Sequence, residues 1–183
     1  MPCAFRVADV TDPDAHALLV EYFAMRAAGF DPAAGSYRTV FPDAARFTPP
    51  AGVFLVVDDA GSPVGCGGIR MLDTHRAEVK HLYLREAVRG RGWGRMLLAE
   101  LERRARELGA TEVVLDTNVA LEAAGSLYRA SGYAEVEPYN DNPNATTWFR
   151  KELGERRRRF RDASASGGRS GATSTGRTRE GNQ

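Results

Sequence analysis

The sequence has few of the residues that hold metals and covalent bridges. Its 183 residues include two cysteines and three histidines. Cys3 and Cys66 are far apart and lack the paired spacing of a zinc or redox motif. His16, His75 and His81 form no ligand pattern with them or with one another. A disulfide scaffold and metal-dependent chemistry are therefore set aside, and no metal is expected. No apolar run reaches the roughly 18 residues of a membrane-spanning helix. The opening MPCAFRVADVTDPD has no apolar h-region of a secretory leader. The expectation is a cytoplasmic protein without membrane contact. Lysine is scarce as well, with Lys80 and Lys151 the only two.

Charge of either sign is not scarce, but it is segregated. The net charge is +1, yet residues 154–183 hold eight Arg against three acidic residues, a net of +5, which leaves −4 on residues 1–153. The tail has almost no large apolar residue and cannot offset its ordering entropy by burial. It is expected to be disordered. A basic run without interleaved aromatics beyond Phe160 is weak grounds for nucleic-acid binding, and a solvated extension is preferred. The 43% hydrophobic content suffices for a core. Residues 1–153 are read as one domain.

Hydrophobic period places the elements. AFRVADV alternates and predicts a strand; Asp12-Pro13 is a helix start, followed by Leu18, Leu19, Tyr22 and Phe23 at helical spacing as far as Gly29. Residues 30–50 are proline-rich and irregular, with one possible helical piece around 43–47. VFLVV and VGCGGIRML flank the turn DDAGSP as a hairpin. AEVKHLYLRE alternates as a strand, with Glu78, Lys80, Leu82 and Leu84 on one face and Val79, His81 and Tyr83 on the other. A helix follows over about 92–108, with Leu97, Leu101, Ala105 and Leu108 inward and Glu100–Arg104 and Glu102–Arg106 pairs outward. EVVLD, a helix over 121–131, YAEVE and TTWFRKEL complete the order, with the loop PYNDNPNA between the last two strands. This is an α+β domain with a mixed sheet, in which the strands at 77–86 and 112–116 run parallel.

Between two of these elements lies RGRGWG, residues 89–94, after a strand and opening a helix. Glycines 90, 92 and 94 let the backbone turn tightly and approach an oxygen; the unpaired N–H groups of the helix start and its dipole favour an anion. Arg89, Arg91 and Arg95 add charge. The plain alternative is a tight turn that needs glycine for steric reasons, but three alternating glycines exceed what one turn requires. A dinucleotide site wants GxGxxG and a shorter strand-to-helix loop, so this run fits it poorly.

Arg89-x-x-Gly92-x-Gly94, placed after AEVKHLYL and before WGRMLLAELE, resembles the acetyl-CoA signature of the GNAT N-acetyltransferases. Leu127-Tyr128-Arg129-Ala130-Ser131-Gly132-Tyr133 resembles the family's second signature, and the element order matches over about residues 4–153; small bacterial members look most similar. The resemblance implies a GNAT-like acyl-CoA N-acyltransferase fold. Its sheet is mixed but mostly antiparallel, of about six or seven strands with about four helices, splayed between the strands at 77–85 and 112–116. It implies acetyl-CoA as co-substrate. The pantetheine arm would lie along the backbone of Leu82, Tyr83 and Leu84. The pyrophosphate would lie on Arg89, Gly90, Arg91, Gly92, Trp93, Gly94 and Arg95. Asn118 is expected to meet the pantetheine, its competing reading being a turn residue. Tyr128 is the expected general acid and a cofactor contact, although periodicity alone makes it a buried aromatic. Glu78 is the expected general base, directly or through water; its competing role is a salt bridge to Arg70 or Arg76. His81 and Asp116 are weaker base candidates. The acceptor, a small-molecule or peptide amine, would meet Tyr37, Tyr139 and Asn140. A homodimer is possible. A non-catalytic acetyl-CoA sensor remains the alternative to an enzyme.

Overall fold

The computed structural model describes residues 3–154. The tail expected to be disordered falls, from residue 155 onward, outside the described residues.

The first strand, β1 (Ala4–Val7), leads to a capped helix. Asp12 accepts from the Asp14 N–H, and Pro13 sits where no helical N–H is needed, which starts α1 (Pro13–Ala28) at the predicted place. The loop-rich stretch that follows contains only two short 3-10 turns, Pro32–Ala34 and Ala44–Phe47. The hairpin is β2 (Gly52–Asp59) and β3 (Ser62–Met71), and β4 (Arg76–Leu84) comes next. A third 3-10 turn, Glu86–Val88, precedes α2 (Trp93–Glu107). Then come β5 (Glu112–Thr117), α3 (Glu122–Ala130), β6 (Ala134–Val136) and β7 (Thr147–Glu152). Among the described residues there are three α-helices, against the expected four or so, because residues 30–50 supply none.

One seven-stranded sheet runs in the order β1-β2-β3-β4-β5-β7-β6. Every neighbouring pair is antiparallel except β4 and β5. The sheet separates two cores. On one face, Leu18, Leu19 and Phe23 of α1 pack with Phe54 and Val56; on the other, Leu97, Leu98 and Leu101 of α2 pack with Val53, Leu55 and Val57. β2 is therefore buried on both sides, which is why VFLVV is an unbroken apolar run rather than an alternating one.

Two predicted side-chain placements are corrected. Glu102 does not lie on an open helix face; it is buried and receives both of its 2.8 Å hydrogen bonds from Lys151 Nζ, while Arg106 stands 3.9 Å away. The strict alternation of β4 also fails. The β3–β4 register slips between Cys66 and Gly68, and His81 adopts φ 55, so one extra residue is accommodated there. A bulge of this kind reverses the facing parity along the strand. Ala77 and Val79 join the α2-side core, yet beyond the bulge Leu82 and Leu84 join that same core, and Tyr83 joins the α1 side. His81 itself packs against Tyr22 and Phe23 of α1.

Gly68 marks where the 3-10 turn at 44–47 presses on the sheet. A Cβ there would lie 2.6 Å from Phe47 Cε1 and 3.0 Å from Phe54 Cδ2. Gly68→Ala should destabilise the fold by about 1–3 kcal/mol, the usual range for overpacking a closed core. Urea unfolding would show a lower midpoint with an unchanged slope.

Candidate active site

The site begins where two strands part. Pairing of β4 with β5 covers only Arg76, Ala77 and Glu78 against Glu112, Val113 and Val114. Both strands continue, and from Val79 to Leu84 the edge of β4 lines a cleft of about 1350 Å3. Asp116, Thr117 and the start of α3 form the opposite wall, with the loop at 37–47 and α1 across the mouth.

At one end is the glycine run. Gly90 and Gly92 have φ of 77° and 79°, a backbone that residues with a Cβ seldom adopt, and a Cβ at either would project into open space. These glycines are thus required by the chain's path, and the surface they leave is accessible. Gly92 caps α2, and its carbonyl accepts the first helical bond from the Met96 N–H. The N–H groups of Trp93, Gly94 and Arg95 precede that bond and have no helical partner. Arg89 is tied by Nε to the Leu84 carbonyl at 2.9 Å. Arg89 and Arg95 line the cleft, whereas Arg91 lies over the Trp93 ring and 3.4 Å from Asp59, outside the lining. The Trp93 side chain is buried in the core, which leaves its backbone for a ligand. Gly94 serves packing too, since a Cβ there would stand 3.4 Å from Leu127.

Tyr128 stands on the α3 side of the cleft. Its ring packs between Tyr133 and Phe149, and the residue lines the cleft from α3. Burial pushes its phenol up to about 12, with the Arg26 charge pulling down and the Asp116 charge pushing up. The group is therefore a neutral proton donor at any working pH. His81, also on the lining, is pushed by burial down to about 3 and is a neutral imidazole.

The apex between the strands is a buried charge cluster. Glu78 is fully buried. Arg70, its cross-strand neighbour, binds Oε2 through Nε and Nη2, each at 2.6 Å. Tyr139 donates to Oε1 at 2.9 Å, and Lys80 Nζ lies 3.3 Å from the same oxygen. Lys80 also reaches Asp116 Oδ2 at 2.8 Å. Asn140 donates to Asp116 Oδ2 and Asn142 to Oδ1. Desolvation would raise the Asp116 carboxyl, but Lys80 and the two amides outweigh it and hold it below the usual carboxylate range. Of the two acids, Asp116 lines the cleft and Glu78 does not. The direct contact that spacing suggested for Glu78 is closed in this arrangement, because Arg70 and Tyr139 occupy its oxygens.

The loop at 138–145 holds itself in place. Asn140 Oδ1 accepts from the Asn142 N–H, and Asn142 Oδ1 accepts from the Asn144 N–H. Asn144 then clamps Arg38, accepting from its N–H at 2.9 Å and donating to its carbonyl at 2.8 Å. The two loops at the cleft mouth are thereby joined. Of the expected acceptor contacts, Tyr37 and Asn140 line the cleft and Tyr139 points to Glu78. Asn118 lies off the lining, where it accepts from the Ala120 N–H as a turn residue. Sequence reasoning missed the Lys80–Asp116 bridge, Asn142 and Arg26; the every-second-residue Asn of NDNPN was the signal for the self-capping loop.

With this geometry in place, comparisons with known proteins decide the family. The model of the acetyltransferase (GNAT) family matches residues 16–133. The chain belongs to the GNAT family. Its sequence is 35% identical over 100 residues to an uncharacterized N-acetyltransferase of Schizosaccharomyces pombe, covering 54% of this chain and 61% of that one. It is 38% identical over 88 residues to the IAA acetyltransferase of Azospirillum brasilense, covering 47% and 57%. This GNAT chain thus spans little more than half the length of these curated relatives. Among solved structures, a candidate acyl-CoA N-acyltransferase of Klebsiella pneumoniae superposes with TM-score 0.68 at 26% identity, covering 83% of this chain and 98% of that one. The PaiA N-acetyltransferase of Thermoplasma acidophilum, in complex with coenzyme A, gives 0.66 at 18% identity, covering 83% and 99%. The fold is the GNAT acyl-CoA N-acyltransferase fold, opened between β4 and β5. Among the described residues no helix is long and apolar enough to cross a membrane.

A carboxyl whose folded pKa is depressed stabilises the fold above its unfolded pKa of about 3.9 and loses that contribution as pH falls through the folded value. Asp116 is such a group. Asp116→Asn should therefore flatten the loss of stability below about pH 4, measured as Tm against pH beside the parent protein.

Proposed function

We propose that the protein is an acetyl-CoA-dependent N-acetyltransferase acting on a primary amine by direct attack, with Tyr128 as general acid. The observation that carries this reading is a single cleft lined by both an anion cradle and a neutral, buried phenol. The cradle fits a pyrophosphate: three helix-start N–H groups, an open glycine surface, and Arg89 and Arg95 on the lining. Acetyl-CoA, when bound, supplies the activated acetyl group. The free edge of β4 from Leu82 to Leu84 offers backbone partners to its pantetheine arm. The backbone near Leu82, freed by the bulge, suits the carbonyl oxygen as negative charge develops there.

The proton balance assigns the remaining roles. The acceptor nitrogen arrives as an ammonium, loses one proton before its lone pair can attack, and loses a second as its N–C bond forms and the C–S bond breaks. One reaches the departing sulfur from Tyr128, which is then reprotonated; the other leaves to solvent. Asp116 faces the cleft as a fixed anion that attracts the ammonium. Glu78 acts at one remove, holding Arg70 and Lys80 behind Asp116 without taking the substrate's proton. Cys66 takes no part: it is buried, and burial drives its thiol far above the ordinary range, which rules against a thiolate nucleophile at neutral pH. A cytoplasmic setting fits this chemistry.

Two measurements test the assignment. Tyr128→Phe should lower kcat by roughly 10²-fold or more while the Kd for acetyl-CoA stays within about threefold, the size expected for loss of a general acid. Full activity in a thiol-release assay would sink the role. Glu78→Gln should cost about 3 kcal/mol, the low end for breaking a buried pair because Arg70 keeps some contact with solvent. The folded variant should keep measurable transfer with the parent's pH profile; disappearance of the acidic limb of kcat/KM would make Glu78 the base after all.

A further inference from the structure

The chain body is acidic, but its cleft is not. Two of the cleft's cations, Arg70 and Lys80, are spent on Glu78 and Asp116, and two more, Arg89 and Arg95, stand at the glycine end. Three others line the cleft as well: Arg26 from α1, and Arg38 and Arg46 from the connecting loop. None of these three makes an ion pair among the described residues. Arg46 reaches only the Met71 carbonyl, at 3.5 Å. The acid nearest in sequence, Asp43, caps the Ala45 N–H at 3.0 Å.

Arg26 is the most constrained of the three. Its guanidinium lies over the Tyr37 ring at 5.7 Å, and its Nε is buried without a hydrogen-bond partner. A buried guanidinium N–H left unpaired is costly, and a carboxylate matches the fork of the group. Tyr22, one helical turn earlier, lines the cleft beside it. The electrostatic surroundings of Tyr128 include Arg26 with one sign and Asp116 with the other. The candidate acid therefore stands in the field of one positive and one negative group, and the positive one has no anion of its own.

We propose that the acceptor carries a carboxylate beside its amine, an amino acid rather than a polyamine, with Arg26 as the residue that binds the carboxylate. The inference rests on reading the cleft as an amine-acetylating site. The ammonium of such a zwitterion goes to Asp116 and its carboxylate to Arg26, while Tyr22, Phe23, Tyr37 and Phe41 favour an apolar or aromatic side chain. Arg38 and Arg46 add positive charge at the mouth, where it draws the anionic end inward.

The test compares phenylalanine with phenylalaninamide, and both with spermidine, in an acetyl-CoA thiol-release assay. Phenylalanine should exceed its amide in kcat/KM by about tenfold or more, the size of a charge-assisted hydrogen bond. Arg26→Gln should bring the two within about threefold by lowering the acid and sparing the amide. A parent protein that prefers the amide or spermidine, or a preference unchanged in Arg26→Gln, overturns the proposal. Calorimetric binding of N-acetylphenylalanine and N-acetylphenylalaninamide in the presence of coenzyme A supplies a readout without turnover. Selective binding of the acid, abolished by Arg26→Gln, upholds the carboxylate site even if no thiol is released, and that combination would sink the acetyl-transfer reading instead. Equal binding of the two overturns the carboxylate site whatever the turnover.

Discussion

The cleft in this chain depends on β4 and β5 ceasing to pair after Glu78. A parallel pair that stops after three residues must either close again or be held open, because unpaired strand edges are costly to bury. Here the apex is held by charge. Glu78 and Asp116 face each other across the parting strands with Lys80 between them, and Arg70 and Tyr139 fill the remaining acceptor sites on Glu78. Two carboxylates and two cations, with amides completing the set, tie β3, β4, β5 and the 138–145 loop to one point. An apolar plug of similar volume could be as stable, but it would not fix the spacing between strands by directional bonds. The cleft's width is thus set by ion-pair geometry.

The bulge at His81 extends the same logic along β4. By adding a residue it turns Leu82 and Leu84 toward the α2-side core and detaches the local backbone from β3. His81 tolerates this because its ring is enclosed by Tyr22, Phe23 and Phe47, and burial keeps it uncharged. Its Nδ1 is left without a partner, a cost consistent with the strain that functional backbone positions carry.

Elements with strong local signals were legible in the sequence. Asp12-Pro13 announced α1, and VFLVV announced one strand of a hairpin. RGRGWG announced an anion cradle, and with LYRASGY it pointed to the family. What escaped notice depended on contacts distant in sequence. Alternation put His81 opposite Glu78, because a bulge has no mark in a run such as VKHLYL. Glu102 looked like a surface i,i+4 partner, since nothing local reveals that Lys151 of β7 lies above it. The net charge of −4 on residues 1–153 gave no sign that the cleft is lined by arginines without ion pairs; net charge averages over the surface, and recognition depends on the few side chains that fold into one concavity.

Those same few side chains bear on whether a phenol can protonate the leaving sulfur at all. With Tyr128 pushed up to about 12 and a thiol near 8.5 in water, transfer to a free thiolate is uphill by about 5 kcal/mol. That comparison places one partner in the protein and the other in solvent. Both meet in the same cleft, and desolvation disfavours a thiolate as it disfavours a phenolate. Cys66, buried beside the bulge, is raised by that effect above any ordinary thiol. Once the sulfur enters the cleft the gap between donor and acceptor narrows. The Arg26 charge narrows it further, because it favours the phenolate that remains. A carboxylate bound at Arg26 would screen that charge, so an acid-bearing acceptor gives up part of this help and the desolvation shared by phenol and sulfur is left to narrow the gap.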